Sequence, residues 1–425
     1  MRGSSMSDIG EFNERLVLQT IRSAPDGVGQ AEVVRRSRLS RQAVSLITRR
    51  LVAEGMIEQA GRRISGPGKP HTLLRVVADA RLAVGVHLDP AHISVVVCDL
   101  AARPVARATL APPTEEPEAD IDRIAAAIAE LCRELGASSP QLGEELPDQP
   151  IRRRLLGIGI AAPAGLDAAA GILRNPPWMP GWRDVPVVDA LSAVTGLPAL
   201  LDKDTNAALT GEIWSRHLGG SETVVYVYVG HGVGSAVSAN GQVHRGGSTQ
   251  AGEIGHLPTG RADEVCSCGR HGCLSVYTDA DRLLSRARDA GIELPDGAGT
   301  TAMIDALAAA ADEGRSAARE IISLHGTALG EALTVLAGIH DPQRIIIGGP
   351  TWPALRSVAE PSLREALGEW VADGRAVLEC SHLSDDVGAI GAASLFLERE
   401  LAPGTGASAS GQVGGGSGLA VAAAR

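Results

Sequence analysis

The chain has 425 residues, enough for two or three domains at about 150 residues each. Its 39 Lys and Arg against 50 Asp and Glu give a formal net charge of −11, which excludes a protein that coats nucleic acid over its whole surface. The charge is unevenly placed: residues 1–81 carry 14 Lys and Arg against 8 Asp and Glu, net +6, while residues 82–425 carry 25 against 42, net −17, so a basic head precedes an acidic body.

The opening MRGSSMSDIGEF has no apolar stretch of the secretory kind, and residues 1–12 are expected to be disordered. No apolar run approaches the ~20 residues of a membrane span, so a cytoplasmic location without a membrane partner is expected. In that compartment the six cysteines are not expected to form a disulfide framework.

A helix is expected over 13–23, with Leu16, the Val17/Leu18 pair and Ile21 on one face and Pro25-Asp26-Gly27 as its stop. A second short helix fits 30–37. Ser40 is a natural N-cap for a third, with Ala43, Val44, Ile47 and Leu51 on its apolar face and an end near Glu54-Gly55. Strand, Gly/Pro-rich turn and strand follow over 56–75, which completes a winged helix-turn-helix over 13–76. On the third helix Arg41, Gln42, Ser45, Thr48 and Arg49, with Ser40 at its start, form the polar face. Gln and Arg at such positions make bidentate contacts with adenine and guanine edges in the major groove. Arg62, Arg63 and Lys69 lie in the wing, where small residues permit close approach and cations follow the minor-groove potential. A solvated helix face and a flexible linker are the bland alternatives. The helix lies between a short preceding helix and a basic wing, so a double-stranded DNA operator is the expected partner.

From Leu82 the texture changes. LAVGVHLD and ISVVVCDL are two apolar strands meeting at Pro90-Ala91, and VARATLA is a third. An amphipathic helix over 121–135, a polar loop over 137–150 and a buried strand in RLLGIGIAAPAG come next. Strands PALLD, TVVYVYVG and RIIIGG alternate with helices TNAALTGEIWSRHL and IISLHGTALGEALTVLAGI, the pattern of an α/β body. Beyond about Leu401 the Gly/Ser/Ala sequence has no periodicity, and 401–425 is expected to be a disordered tail.

Cys266, Cys268 and Cys273 fall within eight positions, preceded by Glu253-Ile254-Gly255-His256. Three thiolates and one imidazole make a closed tetrahedral site for one structural Zn²⁺ per chain, with no position left for water. Redox-active thiols are the alternative. Both His256 and His271 are at hand as fourth ligand; His271 would strain the short loop, so His256 is preferred.

These residues resemble a known family. Cys266-x-Cys268-Gly-x-x-Gly-Cys273 after Gly252-Glu253-x-Gly255-His256 is similar to the signature of the ROK family (repressors, open reading frames and sugar kinases), and the N-terminal winged helix resembles its repressor branch. Asn175-Pro-Pro-Trp-Met-Pro-Gly-Trp182, Asp204-Thr-Asn-Ala-Ala208, Gly230-His-Gly-Val-Gly234 and Ile347-Gly-Gly-Pro350 also match, so the resemblance runs from about residue 13 to 398. It implies a two-lobed, actin-like α/β body over 82–400 that binds a sugar or sugar derivative and dimerises. It further implies Asn175, Asp204, Glu253 and His256 as ligand contacts, with Asp204 in the place of the kinase base. Three matches fail. The phosphate-binding Gly-Gly turn of the kinases is Pro90-Ala91 here, the Asn before the base is Lys203, and the Glu expected after Cys273-Leu274 is Ser275. Without its glycines the turn cannot fold closely round phosphate, so no enzyme is expected but a regulator, a repressor of carbohydrate genes. An active ATP-dependent kinase and a ligand-free scaffold are the rivals. Asp204 has two further readings, a hydroxyl acceptor and an N-cap. Lys203 would pair either with an acidic or phosphorylated sugar or with Asp202, Asp204 or Glu253. The turn at Gly230–Gly234 is expected to need positive φ.

Overall fold

The computed structural model describes residues 6–63, 71–137, 149–218, 222–261, 264–383 and 386–403. Lys69 and nearly all of the expected C-terminal tail lie outside them. The first helix is Met6–Arg22, so it begins well before residue 13 and residues 6–12 belong to it rather than to a disordered start. Asp8 in its first turn favours the helix dipole, and no breaker intervenes before Pro25. Helices Gln30–Ser37 and Arg41–Ala53 follow, and strands Ile57–Arg63 and His71–Val76 pair antiparallel as the wing. Val28–Gly29 adds a third strand against Leu73 and Leu74. Val17, Ile21, Val33, Val44, Leu51 and Ile57 pack together in the head, in a core that continues into the body through Ala83, Leu100 and Trp214.

The body consists of two lobes built on one plan. In the first, strands Leu82–Asp89, His92–Cys98 and Pro104–Leu110 form an antiparallel meander. Leu155–Ala162 and then Ala199–Lys203 add in parallel on the other side of the first strand. In the second, Thr223–Val229, Val233–Ala239 and Gln242–Val243 form the meander, and Arg344–Gly348 and Val377–Cys380 add in parallel. The strand order is therefore the same in both lobes of the expected two-lobed, sugar-kinase-type body. The expected polar loop over 137–150 ends early, because Gln149–Arg152 is a helical turn.

Two helices lie where the lobes meet: Asp204–Arg216, after the last strand of the first lobe, and Val387–Leu401, after the last strand of the second. The second packs directly on the first sheet, where a Cβ on Gly159 would overlap the Ala392 carbonyl. The two helices also touch each other, because a Cβ on Gly391 would overlap the Ala207 carbonyl. The helix Ser316–His340 is long and apolar enough to cross a membrane by composition, but Ile322, Leu329 and Leu333 bury it in the core of the second lobe.

Candidate functional sites

On the third helix the Ser40 hydroxyl accepts the Ala43 N–H at 3.1 Å, so Ser40 is the cap expected of it. Arg41, Gln42 and Arg49 are exposed and Ser45 is half-buried. Thr48 is not on this face. It is 6% exposed, and its hydroxyl donates to the Val44 carbonyl at 2.8 Å. Thr48 lies one position from Ile47, so it turns toward the core and satisfies itself on the preceding turn. Leu46, 65% exposed, occupies the polar face instead. Arg62 and Arg63 sit in the wing strand, paired with Thr72 and His71.

A cleft between the lobes, 310 Å³, opens at the carboxyl ends of the strands. Each lobe contributes the turn after its first strand: Asp89-Pro90-Ala91 from one, Gly230–Gly234 from the other. In the first turn Pro90 has no N–H, and the Ala91 N–H donates to Asp89 Oδ1 at 2.8 Å, so neither amide is offered to a ligand. In the second, none of Gly230, Gly232 and Gly234 has positive φ, contrary to expectation. These glycines are required for space: a Cβ on Gly232 would meet the Trp178 ring at 2.9 Å, and one on Gly234 the Thr205 methyl at 2.8 Å.

Lys203 and Asp204 enter from the last strand of the first lobe. The Lys203 side chain is 2% exposed; its Nζ lies 2.7 Å from Glu253 Oε1 and donates to the Ala251 carbonyl at 2.9 Å. The lysine is thus neutralised inside the protein, by the third of its candidate carboxylates. Lys203 keeps an extended backbone (φ −66°, ψ 142°) and occupies the cap position itself. Asp204 is the first helical residue, not the N-cap, and its Oδ1 accepts the Thr205 N–H at 2.6 Å. Desolvation raises the Asp204 carboxyl to about 7, against the opposing charge of Lys203. Asp279 across the cleft is likewise pushed up to about 7, by desolvation and then by Asp281.

Glu253 and His256 line the cleft, but Asn175 does not. It is exposed, with its N–H on the Gly165 carbonyl, and the run that follows it brings Pro177 and Trp178 to the cleft in its place. Trp178 has a left-handed backbone (φ +59°) and packs edge-on against His231, ring centroids 4.8 Å apart. Trp178, Thr205, His231 and Asp279 were not singled out from the sequence. Each reaches the cleft from a different segment, and the matching runs around residues 178, 205 and 231 hinted at three of them, but not at Asp279.

Behind the cleft, ligand atoms of His256, Cys266, Cys268 and Cys273 all lie within 4.8 Å of one another. Cys266 Sγ is 3.5 Å from His256 Nδ1, and the Cys268 and Cys273 sulfurs are 3.6 Å apart. A tetrahedral ion with bonds of about 2.0–2.3 Å needs donor separations of roughly 3.4–3.8 Å, so the donor set fits a metal. The knuckle is closed by the Cys266 N–H on the Arg270 carbonyl and by left-handed Gly269 and Gly272. Hydrogen bonds from Arg270 lower the Cys268 thiol to about 6, which favours the ligating thiolate. His271 is exposed, bridges to Val265 and stands outside the cluster. Cys266 Sγ also lies 3.7 Å from the hydroxyl of Ser275, a cleft residue, so knuckle and cleft share a wall.

A sequence profile of the ROK family matches residues 83–399. The chain belongs to the ROK family. Within it, the chain is 26% identical over 346 residues to the xylose repressor of Caldicellulosiruptor bescii, covering 80% of this chain and 83% of that one. It is 32% identical over 261 residues to a glucokinase of Halalkalibacterium halodurans, covering 58% and 77%. A ROK family transcriptional regulator, a homologue of the E. coli MLC protein, superposes with a TM-score of 0.72 at 19% identity, over 93% of this chain and 98% of that one. That superposition extends the shared fold beyond the ROK-matched body into the N-terminal head.

Proposed function

We propose that this chain is a cytoplasmic DNA-binding regulator, a repressor of carbohydrate uptake or metabolism genes, whose body binds a sugar or sugar derivative without catalysis. A winged head over 13–76 reads an operator through Arg41, Gln42, Ser45 and Arg49, and the wing cations follow the backbone. A homodimer presents two such heads to an inverted repeat. Glu253, Asp204 and His256 supply the hydroxyl-binding chemistry. His256, Cys266, Cys268 and Cys273 hold one structural Zn²⁺ per chain, which fixes the wall that carries His256 and Ser275.

The observation that carries the reading is the turn Asp89-Pro90-Ala91. With its amides absent or already bonded, it offers no cradle for a transferring phosphoryl group, whose catalysis is almost entirely positioning and charge stabilisation. One observation favours a kinase instead: Asp204 near 7 is tuned as a general base should be. The Asp204→Ala variant separates the two. A sensor loses its sugar response and keeps operator binding, read by titrating labelled operator with and without sugar. ATP-dependent sugar phosphorylation that disappears in Asp204→Ala would establish the kinase.

A further inference from the structure

The cleft holds four carboxylates, Asp89, Asp204, Glu253 and Asp279, and a single Lys or Arg, Lys203. Several devices by which a protein commonly binds an anion are already used. The Lys203 ammonium is held by Glu253 and the Ala251 carbonyl. The Asp89 turn has one amide missing and one bonded to its own carboxylate. The helix Asp204–Arg216 starts at the cleft wall, but the Thr205 amide in its first turn is covered by Asp204 itself. The helix Ala280–Asp289 likewise begins with a carboxylate, Asp279, at its cap position. A phosphate or carboxylate entering here would meet the like charge of Asp89 and, once they ionise above about pH 7, of Asp204 and Asp279, in a half-enclosed, low-dielectric space.

For a neutral polyol the same walls are receptive. The Asp279 carboxylate makes no capping hydrogen bond on its own helix, which leaves it free to accept a hydroxyl. The Thr205 hydroxyl, in a residue 1% exposed on the cleft wall, has no partner among the described residues. A buried hydroxyl in that state costs free energy until something pairs with it, so a ligand hydroxyl that reached it would recover that cost. Trp178, 48% exposed, offers an apolar face at the mouth. At 310 Å³ the space is at the small end of the ~300–1,000 Å³ range of ligand pockets, the size class of a single sugar ring.

We propose that the cleft selects an uncharged monosaccharide and rejects phosphorylated and carboxylated sugars, with Asp279 and Thr205 as ligand contacts that set this choice. The inference rests on the sensor reading above and sharpens it. Asp279 acts in two ways: it accepts hydroxyls and repels anions. Thr205 acts in one, as a hydroxyl partner.

The test is calorimetric titration of the full-length protein with glucose, xylose and N-acetylglucosamine, and with glucose 6-phosphate, N-acetylglucosamine 6-phosphate and glucuronate. At least one neutral sugar should bind, and its anionic counterpart should bind at least about tenfold more weakly, with the gap narrowing as salt screens the repulsion. Asp279→Asn should close most of that gap while weakening the neutral sugar. Thr205→Val should weaken the neutral sugar by roughly fivefold, the loss of one hydrogen bond, and leave the melting temperature without sugar unchanged or higher. Equal or tighter binding of a sugar phosphate overturns the charge selection and leaves the sensor reading standing. Neutral binding indifferent to both substitutions removes Asp279 and Thr205 from the site. Silence toward every sugar, neutral and anionic, overturns the sensor reading and this inference together.

Discussion

At the scale of single residues, the cleft keeps its ligand chemistry at the expense of stability, and Asp204 shows it. Its carboxyl lies near 7 instead of the ordinary 3.8, because burial outweighs the help of Lys203 and the Thr205 amide. An acid whose folded pKa is raised holds its proton more tightly folded than unfolded. Its contribution to stability is therefore complete below about pH 4 and is lost as pH rises through about 7. Asp204→Asn removes that loss. We expect the variant to be more stable than the parent at pH 8 by about 2 kcal/mol, allowing for partial exposure to the cleft, with the difference shrinking steadily toward pH 5. Thermal melts across that range read it directly, and a gap that is flat or grows on acidification would contradict the assignment. The three cysteines and His256 were legible in the sequence because their residue types and spacing carry the chemistry, and Asp204 and Glu253 through the family resemblance. Asp279 and Thr205 were not. A carboxylate before a helix and a threonine inside one have ordinary local explanations, and only the meeting of two lobes sets them facing one space.

At the scale of elements, local rules served well wherever periodicity and caps agreed. The second helix, Gln30–Ser37, matches its expected bounds, and Ser40 caps the third. Two-residue strands such as Val28–Gly29 carry no period and stayed invisible. Thr48 was misplaced because a polar residue beside the apolar stripe reads as surface, whereas its hydroxyl can bond the carbonyl four residues back and go inside. The cysteine knuckle is an element with almost no core of its own, held by two isolated bridges and tight turns. Its order should therefore depend on metal. Purified protein should contain close to one zinc per chain, and Cys268→Ser should lower both metal content and melting temperature. Because Ser275 and His256 belong to the same wall, chelation should also weaken sugar binding. A fully folded, metal-free protein with three titratable thiols here and intact sugar affinity would exclude the site.

At the scale of the whole molecule, the charge division was visible in the composition, +6 in the first 81 residues and −17 beyond. The duplication of the two lobes was not, because it lies in a shared strand order, which composition does not reveal. The helix Asp204–Arg216 starts at the cleft, and its far end, like that of Val387–Leu401, meets the head. The Trp214 carbonyl accepts Arg22 at 2.7 Å, the Arg22 guanidinium lies 3.8 Å over the Trp214 ring, and the Leu401 carbonyl accepts Gln19 at 3.1 Å. Both partners are on the first helix of the head. With 13 residues, Asp204–Arg216 spans about 20 Å as a rigid rod, with ligand chemistry at its first turn and the head at its last.

A regulator of this build must make sugar and operator affinities depend on each other, by a coupling of about 1–3 kcal/mol that is equal in both directions. Arg22 is the contact to test, since it is half-buried and holds the rod through a hydrogen bond and a ring face instead of a carboxylate. Burial accordingly lowers its pKa to about 9. Arg22→Ala should cost about 1–2 kcal/mol of stability from the lost stacking and hydrogen bond. Its larger effect should be on coupling: sugar affinity measured without DNA and operator affinity measured without sugar stay within about threefold of the parent, while the factor by which each ligand changes the other falls toward one. Operator titrations at zero and saturating sugar, repeated as sugar titrations at zero and saturating operator, measure both directions of the same cycle. If the variant keeps the parent's coupling factor, the signal does not pass from cleft to head through this contact.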